Sequence, residues 1–312
     1  MIKSIQGDIT ELDFDAIVNA AGRRARHIIH AAVMGADLIN GADMVRAATR
    51  NALLKAEEMN LKSIAFPALG AGAGGLDFDL AARVMVCEAR RHVAGGSALE
   101  QIAFVLFDEH GYNSFNKITG REAIVCLGDS ITYGFPFGPK ASWVELSAKK
   151  LGLNMINMGA NGDTTRAMRR RFKRDVTGLE PAYVIIMGGG NDAFMGYSLE
   201  QFAENVEAMA AEAQDNGICP VIGLPAPVCP GPFVTDYIGI AGCELDSYRE
   251  WAEEFAADEK LPVLDFYRPL LDPETGEAAP EYYCDDVHPS IEGYQVLARA
   301  SERLLAAIKM GL

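Results

Sequence analysis

Ala123-Ile124-Val125-Cys126-Leu127-Gly128-Asp129-Ser130-Ile131-Thr132 is the stretch on which the reading of the fold turns. Its first five residues are apolar and follow a short polar segment, Thr119-Gly120-Arg121-Glu122, so they read as a strand that opens a new unit. In an open α/β sheet ligands gather at the carboxyl ends of the strands. A serine one step beyond a strand and a glycine has an accessible hydroxyl and a backbone N–H facing the same crevice. Taken alone the triplet Gly128-Asp129-Ser130 is equally a turn capped by Asp129 or Ser130.

On both sides of this stretch short β-branched runs alternate with amphipathic segments, the pattern of parallel sheets covered by helices. Before it the expected strands are Ile2–Gln6, Ala16–Asn19, His27–Val33, Ser63–Pro67 and Gln101–Phe107, with helices near Ala42–Met59, Phe78–Val93 and Tyr112–Ile118. After it come strands near Asn154–Asn157, Tyr183–Met187, Pro220–Leu224 and Val263–Asp265. Helices are expected at Ser142–Leu151 and Ser198–Asn216, the latter opened by a Ser198-x-x-Gln201 capping box. A last helix is expected from Pro289 to about Lys309. The alternation restarts once, which gives two α/β domains, 1–120 and 121–312. There is no internal repeat.

The chain of 312 residues is 49% hydrophobic and 23% charged, as in a globular protein with a sizeable core. No apolar run approaches the length that crosses a bilayer, so no membrane insertion is expected. Asp8 arrives too early for a secretory apolar core, which makes cytoplasmic residence the default. Residues 1–120 carry 12 basic and 14 acidic side chains, and residues 121–312 carry 16 and 29. An acidic second half repels a phosphate backbone and argues against nucleic acid as partner. Six cysteines form no CxxC pair. Of these, Cys87, Cys126 and Cys219 read as buried, while Cys229, Cys243 and Cys284 lie in loop-like sequence and could be exposed. No His/Cys/Asp cluster has metal-ligand spacing, and neither a metal nor a cofactor is expected.

Residues 121–312 hold a single histidine, His288, so imidazole chemistry in this half has only one candidate. It follows Asp285 by three residues, in a loop short enough to fold the carboxylate back onto Nδ1. The competing reading is a helix-start turn with His288 at the surface. Two further strand ends carry glycine and asparagine, Asn157-Met158-Gly159-Ala160-Asn161-Gly162 and Gly188-Gly189-Gly190-Asn191-Asp192. Such groups can present N–H donors to a developing oxyanion; each loop alone is also ordinary turn chemistry. Tyr133–Phe137 and the Pro/Gly-rich stretch Ala226–Gly242 could wall an acyl pocket, form a lid or cover an interface. The basic run Arg169–Arg174 reads as a solvated helix face, with Asp163 as the cap.

With these residues in view, the second half resembles the GDSL family, or SGNH hydrolases. Gly128-Asp129-Ser130, Gly159, Gly189-x-Asn191-Asp192 and Asp285-x-x-His288 match its four blocks in order. The resemblance implies a flavodoxin-like three-layer fold and metal-independent hydrolysis of small acyl esters, expected to be short-chain. It also implies a triad of Ser130, His288 and Asp285, with an oxyanion hole from the N–H groups of Ser130 and Gly159 and the Asn191 side chain.

Residues 1–118 resemble a macro domain, the ADP-ribose-binding α/β module. The matching segments are Gly7-Asp8-Ile9, Ala16–Ala21, Ile28–Ala31 and Ser63–Gly75. The last reads independently as a strand, a glycine-rich loop and a helix, a geometry that cradles an anion. By resemblance Asp8 would hold an adenine amino group, and Gly70, Gly72 and Gly74 a diphosphate. Here, however, Ala21 runs through Gly22–Arg26 straight into the His27 strand, without the first glycine-rich loop and helix. The domain is therefore smaller and incomplete, which weighs against ADP-ribose binding and in favour of a docking or homo-oligomerising element. The alternative function is an ADP-ribose or nucleotide module that brings the hydrolase to acylated or ADP-ribosylated targets. A non-catalytic interaction protein is disfavoured by the intact set of four blocks.

Overall fold

The computed structural model describes residues 1–19, 25–32, 41–71, 75–229 and 236–312. The first half runs β1 (Ile2–Gln6), β2 (Ala16–Val18), β3 (His27–Ile29), α1 (Ala42–Glu58), β4 (Ser63–Phe66), α2 (Phe78–Ala94), β5 (Gln101–Leu106) and α3 (Glu109–Thr119). The second runs β6 (Ile124–Gly128), α4 (Ser130–Tyr133), α5 (Trp143–Leu151), β7 (Met155–Gly159), α6 (Thr165–Asp175), β8 (Tyr183–Met187), α7 (Gly190–Phe194), α8 (Leu199–Asp215), β9 (Cys219–Leu224), α9 (Asp236–Asp258), β10 (Val263–Asp265) and α10 (Ile291–Gly311). The chain folds into two compact units. One is Met1–Glu122 with Gln214–Cys219 and Ala307–Leu312, and the other is Ala123–Ala213 with Pro220–Ala306.

The first unit is a five-stranded parallel sheet in the order β1-β5-β4-β2-β3. Its core forms because α1 turns Val45, Ala48, Ala52 and Ala56 inward at helical spacing, against Ala81, Ala82 and Met85 of α2. Asp77 caps α2 by accepting the Asp79 and Leu80 N–H groups, and Asp108 caps α3 by accepting the Gly111 N–H.

The second unit has the strand order β10-β9-β8-β6-β7. Parallel pairing joins β6 to β7 and β8, and β9 to β10. Counted along the chain this is the 2-1-3-4-5 order of flavodoxin-like sheets. Every residue of β6, β8 and β9 is buried, which explains their unbroken apolar sequence; the edge strands β7 and β10 are only partly covered. Phe202, Val206 and Ala210 of α8 and Leu245, Tyr248 and Ala252 of α9 pack with Ile222 and Leu224 of β9. Trp143 of α5 meets Phe266 edge-on at 4.9 Å, and Ser147 is hydrogen-bonded to Ser301 of α10 at 2.9 Å. The result is a three-layer α/β unit. Among the described residues, no helix is long and apolar enough to cross a membrane.

Several local expectations are corrected. The last helix begins at Ile291, not Pro289, because the Ser290 hydroxyl accepts the Gly293 N–H and takes the cap, while Pro289 bridges to Tyr283. Helix α6 is capped by Thr164 rather than Asp163. Cys229 is buried, with its thiol directed at the Ala278 carbonyl, and residue 243 falls within α9, a helix that the sequence pattern does not announce. The strand from His27 ends at Ile29. The Ser198–Gln201 capping box forms reciprocally.

The close approach of β6 to its neighbours requires glycine at 128, where a Cβ would lie 2.2 Å from Thr132 Oγ1 and 2.6 Å from the Met187 carbonyl. Gly128→Ala is expected to cost about 2 kcal/mol or more. The measurement is urea unfolding; an unchanged midpoint at unchanged slope would show that the contacts yield without strain.

Candidate active site

The chain leaves β6 at Gly128 and turns at once into α4. Asp129 caps that helix through its Oδ1, which accepts the Ile131 N–H at 2.9 Å. Ser130 is thereby the first helical residue, and its N–H is one of the groups that a helix start leaves without an internal partner. Strand order reverses at β6, with β7 on one side and β8 on the other, so this turn lies at the topological switch point.

From the other end of the unit comes the loop Cys284–Pro289. Asp285 Oδ1 accepts the N–H groups of Val287 and His288 at 2.9 and 2.6 Å, which curls the loop back on itself. Asp285 Oδ2 then lies 2.8 Å from His288 Nδ1, and His288 Nε2 lies 3.0 Å from Ser130 Oγ. With the Nδ1 proton directed at the carboxylate, Nε2 is left to accept the serine hydroxyl. The Phe135 ring sits 4.6 Å from the imidazole. Two bonds fasten the loop to the segment after β9: the Cys229 N–H donates to the Asp286 carbonyl at 2.8 Å, and the Tyr283 hydroxyl to the Pro227 carbonyl at 2.7 Å.

Asn191, in α7 at the end of β8, lines the same cavity as Ser130 and His288. One hydrogen of its Nδ2 goes to the Asp163 carbonyl at 2.9 Å, and the other has no partner among the described residues. Its neighbour Asp192 is fully buried and accepts the Thr165 N–H, which ties α7 to the start of α6.

Gly159 does not join this group. Its N–H donates to Asn157 Oδ1 at 2.9 Å, and an N–H so committed cannot meet an oxyanion. Glycine is needed there for packing, since a Cβ would fall 2.1 Å from the Tyr133 nitrogen. Three residues on, Gly162 is exposed, has φ +79°, and makes no N–H hydrogen bond among the described residues. It adjoins Asp163, the residue that orients Asn191. Its sequence signal is its place beside the helix start, in Gly162-Asp163-Thr164, rather than at the strand end.

The cavity at Ser130 encloses about 110 Å³ and is walled by Met187, Phe194, Ala226, Val228 and Leu245. Part of the Ala226–Gly242 stretch is therefore a pocket wall. In the first unit, Asp8 borders a separate cleft of about 210 Å³ with Pro67, Phe78 and Phe107. Asp8 Oδ1 accepts the N–H and hydroxyl of Thr10. Gly70 has φ +77° just beyond β4, while Gly72 and Gly74 lie outside the described residues.

Residues 126–296 match the GDSL-like lipase/acylhydrolase family, and residues 11–85 match the macro domain. A GDSL-like lipase from Bacteroides thetaiotaomicron is 28% identical with a TM-score of 0.52, covering 61% of this chain and 89% of that one. The uncharacterized lipoprotein YqeF of Bacillus subtilis is 28% identical over 188 residues, 52% of this chain and 77% of its own length. The acetylxylan esterase of Geobacillus stearothermophilus is 26% identical over 207 residues, 59% of this chain and 94% of its own. The chain spans less than half the length of its relatives from Mycobacterium.

Charge at the site is unevenly tuned. Burial raises the Asp285 carboxyl, but hydrogen bonds from the His288 N–H, the His288 ring and the Val287 N–H outweigh it and hold the group below the usual carboxylate range. Asp129 goes the other way: burial, only partly offset by the Ile131 N–H and the nearby His288, pushes it up to about 6. A carboxyl raised in the folded state adds stability that is complete below its unfolded value and is lost as pH climbs through about 6. Asp129→Asn keeps the oxygen that caps α4 and removes the buried charge. Its melting temperature is expected to exceed that of wild type by more at pH 8 than at pH 5, as read by thermal melts at both. A difference independent of pH would show that Asp129 titrates normally.

Proposed function

The chain belongs to the GDSL-like lipase/acylhydrolase family, and on that premise we propose that it is a metal-independent serine hydrolase of short-chain acyl esters. The observation that carries this reading is the unbroken hydrogen-bonded series from Ser130 through His288 to Asp285. His288 Nε2 takes the hydroxyl proton as Ser130 Oγ adds to the ester carbonyl. The oxyanion is met by the Ser130 N–H, the free hydrogen of Asn191 Nδ2 and the Gly162 N–H. His288 then protonates the departing alcohol, and water repeats the sequence on the acyl-enzyme. Asp285 keeps the imidazole in the required tautomer and stabilises its charged form.

The size of the cavity supports the acyl length. About 110 Å³ walled by Phe194, Val228 and Leu245 suits an acetyl to butyryl group better than a long chain. The test is hydrolysis of p-nitrophenyl esters from acetate to octanoate by wild type and Ser130→Ala. Wild type should prefer the short esters over octanoate by about tenfold or more in kcat/KM. The variant should lose about 10⁴-fold or more. Equal rates for the two proteins would sink the reading.

A second reading concerns the first unit. Its cleft at the carboxyl ends of β1, β4 and β5 presents an Asp8 oxygen with no partner among the described residues and Phe107, an aromatic ring 84% exposed, which together suit a nucleobase; Asp8 itself precedes the macro match. Retained nucleotide recognition would appear as heat on titrating ADP-ribose into wild type, lost in Asp8→Ala. No heat from wild type removes it.

A further inference from the structure

Arg171 belongs to the basic run of α6, whose other members Arg169, Arg170, Lys173 and Arg174 are exposed. Arg171 itself is not solvated: its side chain is only 13% exposed, and each of its three nitrogens has a partner. Nη1 donates to Asp175 Oδ2 at 2.9 Å, one turn along the same helix. The other two contacts leave the helix. Nε donates to Asp163 Oδ2 at 2.6 Å, and Nη2 to the Gly128 carbonyl at 2.9 Å.

These two partners stand immediately behind the two sides of the site. Gly128 ends β6 and is followed by the turn that presents Ser130. Asp163 lies in the loop between β7 and α6, and its carbonyl receives the Asn191 amide. One planar guanidinium therefore spans the turn that aims the Ser130 N–H and the loop that aims Asn191 Nδ2. Its fork holds both at fixed spacing, which the single ammonium of a lysine cannot do.

We propose that Arg171 is a positioning residue that sets the separation of the Ser130 N–H from the Asn191 amide. The proposal rests on the serine-esterase reading, in which those donors converge on the oxyanion. Both chemical steps, acylation and deacylation, pass through that oxyanion and are slowed together when the donors drift apart. Turnover falls while KM stays close to wild type, because the lost contact is made only in the transition state. A displacement of about 1 Å in such a group costs about 100-fold, so a loss of about 10- to 100-fold in kcat is expected.

The experiment follows p-nitrophenyl acetate hydrolysis in wild type, Ser130→Ala, Arg171→Lys and Arg171→Ala, with thermal melts of each. For Arg171→Ala the assay is repeated with guanidinium chloride at low, non-denaturing concentration. The expected result is a lowered kcat at nearly constant KM in both arginine variants, smaller for lysine, with partial recovery of Arg171→Ala but not Ser130→Ala by guanidinium. Should the alanine variant fail to fold, the kcat-against-KM split of Arg171→Lys decides. A kcat within twofold of wild type in the folded variants, or a loss carried by KM, overturns the proposal alone. Wild-type turnover no faster than that of Ser130→Ala overturns the esterase reading and this proposal with it.

Discussion

A hydroxyl and an imidazole 158 residues apart in sequence meet at 3.0 Å, and the second unit is arranged around making that contact permanent. The strand that delivers the hydroxyl is central and fully buried, so its carboxyl end cannot wander. The loop that delivers the imidazole has no such support from a sheet. It is stiffened instead by the Asp285 carboxylate, which spends one oxygen on backbone N–H groups and the other on the ring. A rigid partner and a self-braced partner can hold a hydrogen bond that two mobile loops could not.

The backbone around this contact is packed unusually close. Gly128 and Gly159 lie where any side chain would enter neighbouring main chain. Their lack of a Cβ allows β6, β7 and the Tyr133 turn to converge within a few ångströms. In the same segment the Gly159 N–H goes to Asn157 Oδ1, while the Gly162 N–H has no partner among the described residues. A tightly packed glycine and one whose N–H has no partner among the described residues thus occur in one segment.

Much of this is legible in the sequence because it depends on local pattern. Unbroken apolar runs mark the buried strands, the restart after residue 120 marks a second sheet, and a lone histidine three residues after an aspartate narrows the choice of base. What escapes depends on contacts between distant segments. Nothing local distinguishes an N–H spent on a neighbouring side chain from a free one, so the sequence favours Gly159 over Gly162. Within the basic run of α6, Arg171 looks like its neighbours until Gly128 and Asp163 are seen beside it. Helix α9 is hidden because its start at Asp236 lies within the Pro/Gly-rich stretch Ala226–Gly242, which reads as loop.

The ties from Cys229 and Tyr283 carry a consequence for divergence within such a fold. The main-chain segment that shapes the cavity at Ser130 is the same segment to which the imidazole loop is moored. Substitutions that widen the cavity by shifting Pro227 or Val228 also pull on the histidine. Lineages drifting toward bulkier substrates would therefore enlarge the cavity more readily by shortening side chains that enter it from helices, Phe194 of α7 and Leu245 of α9.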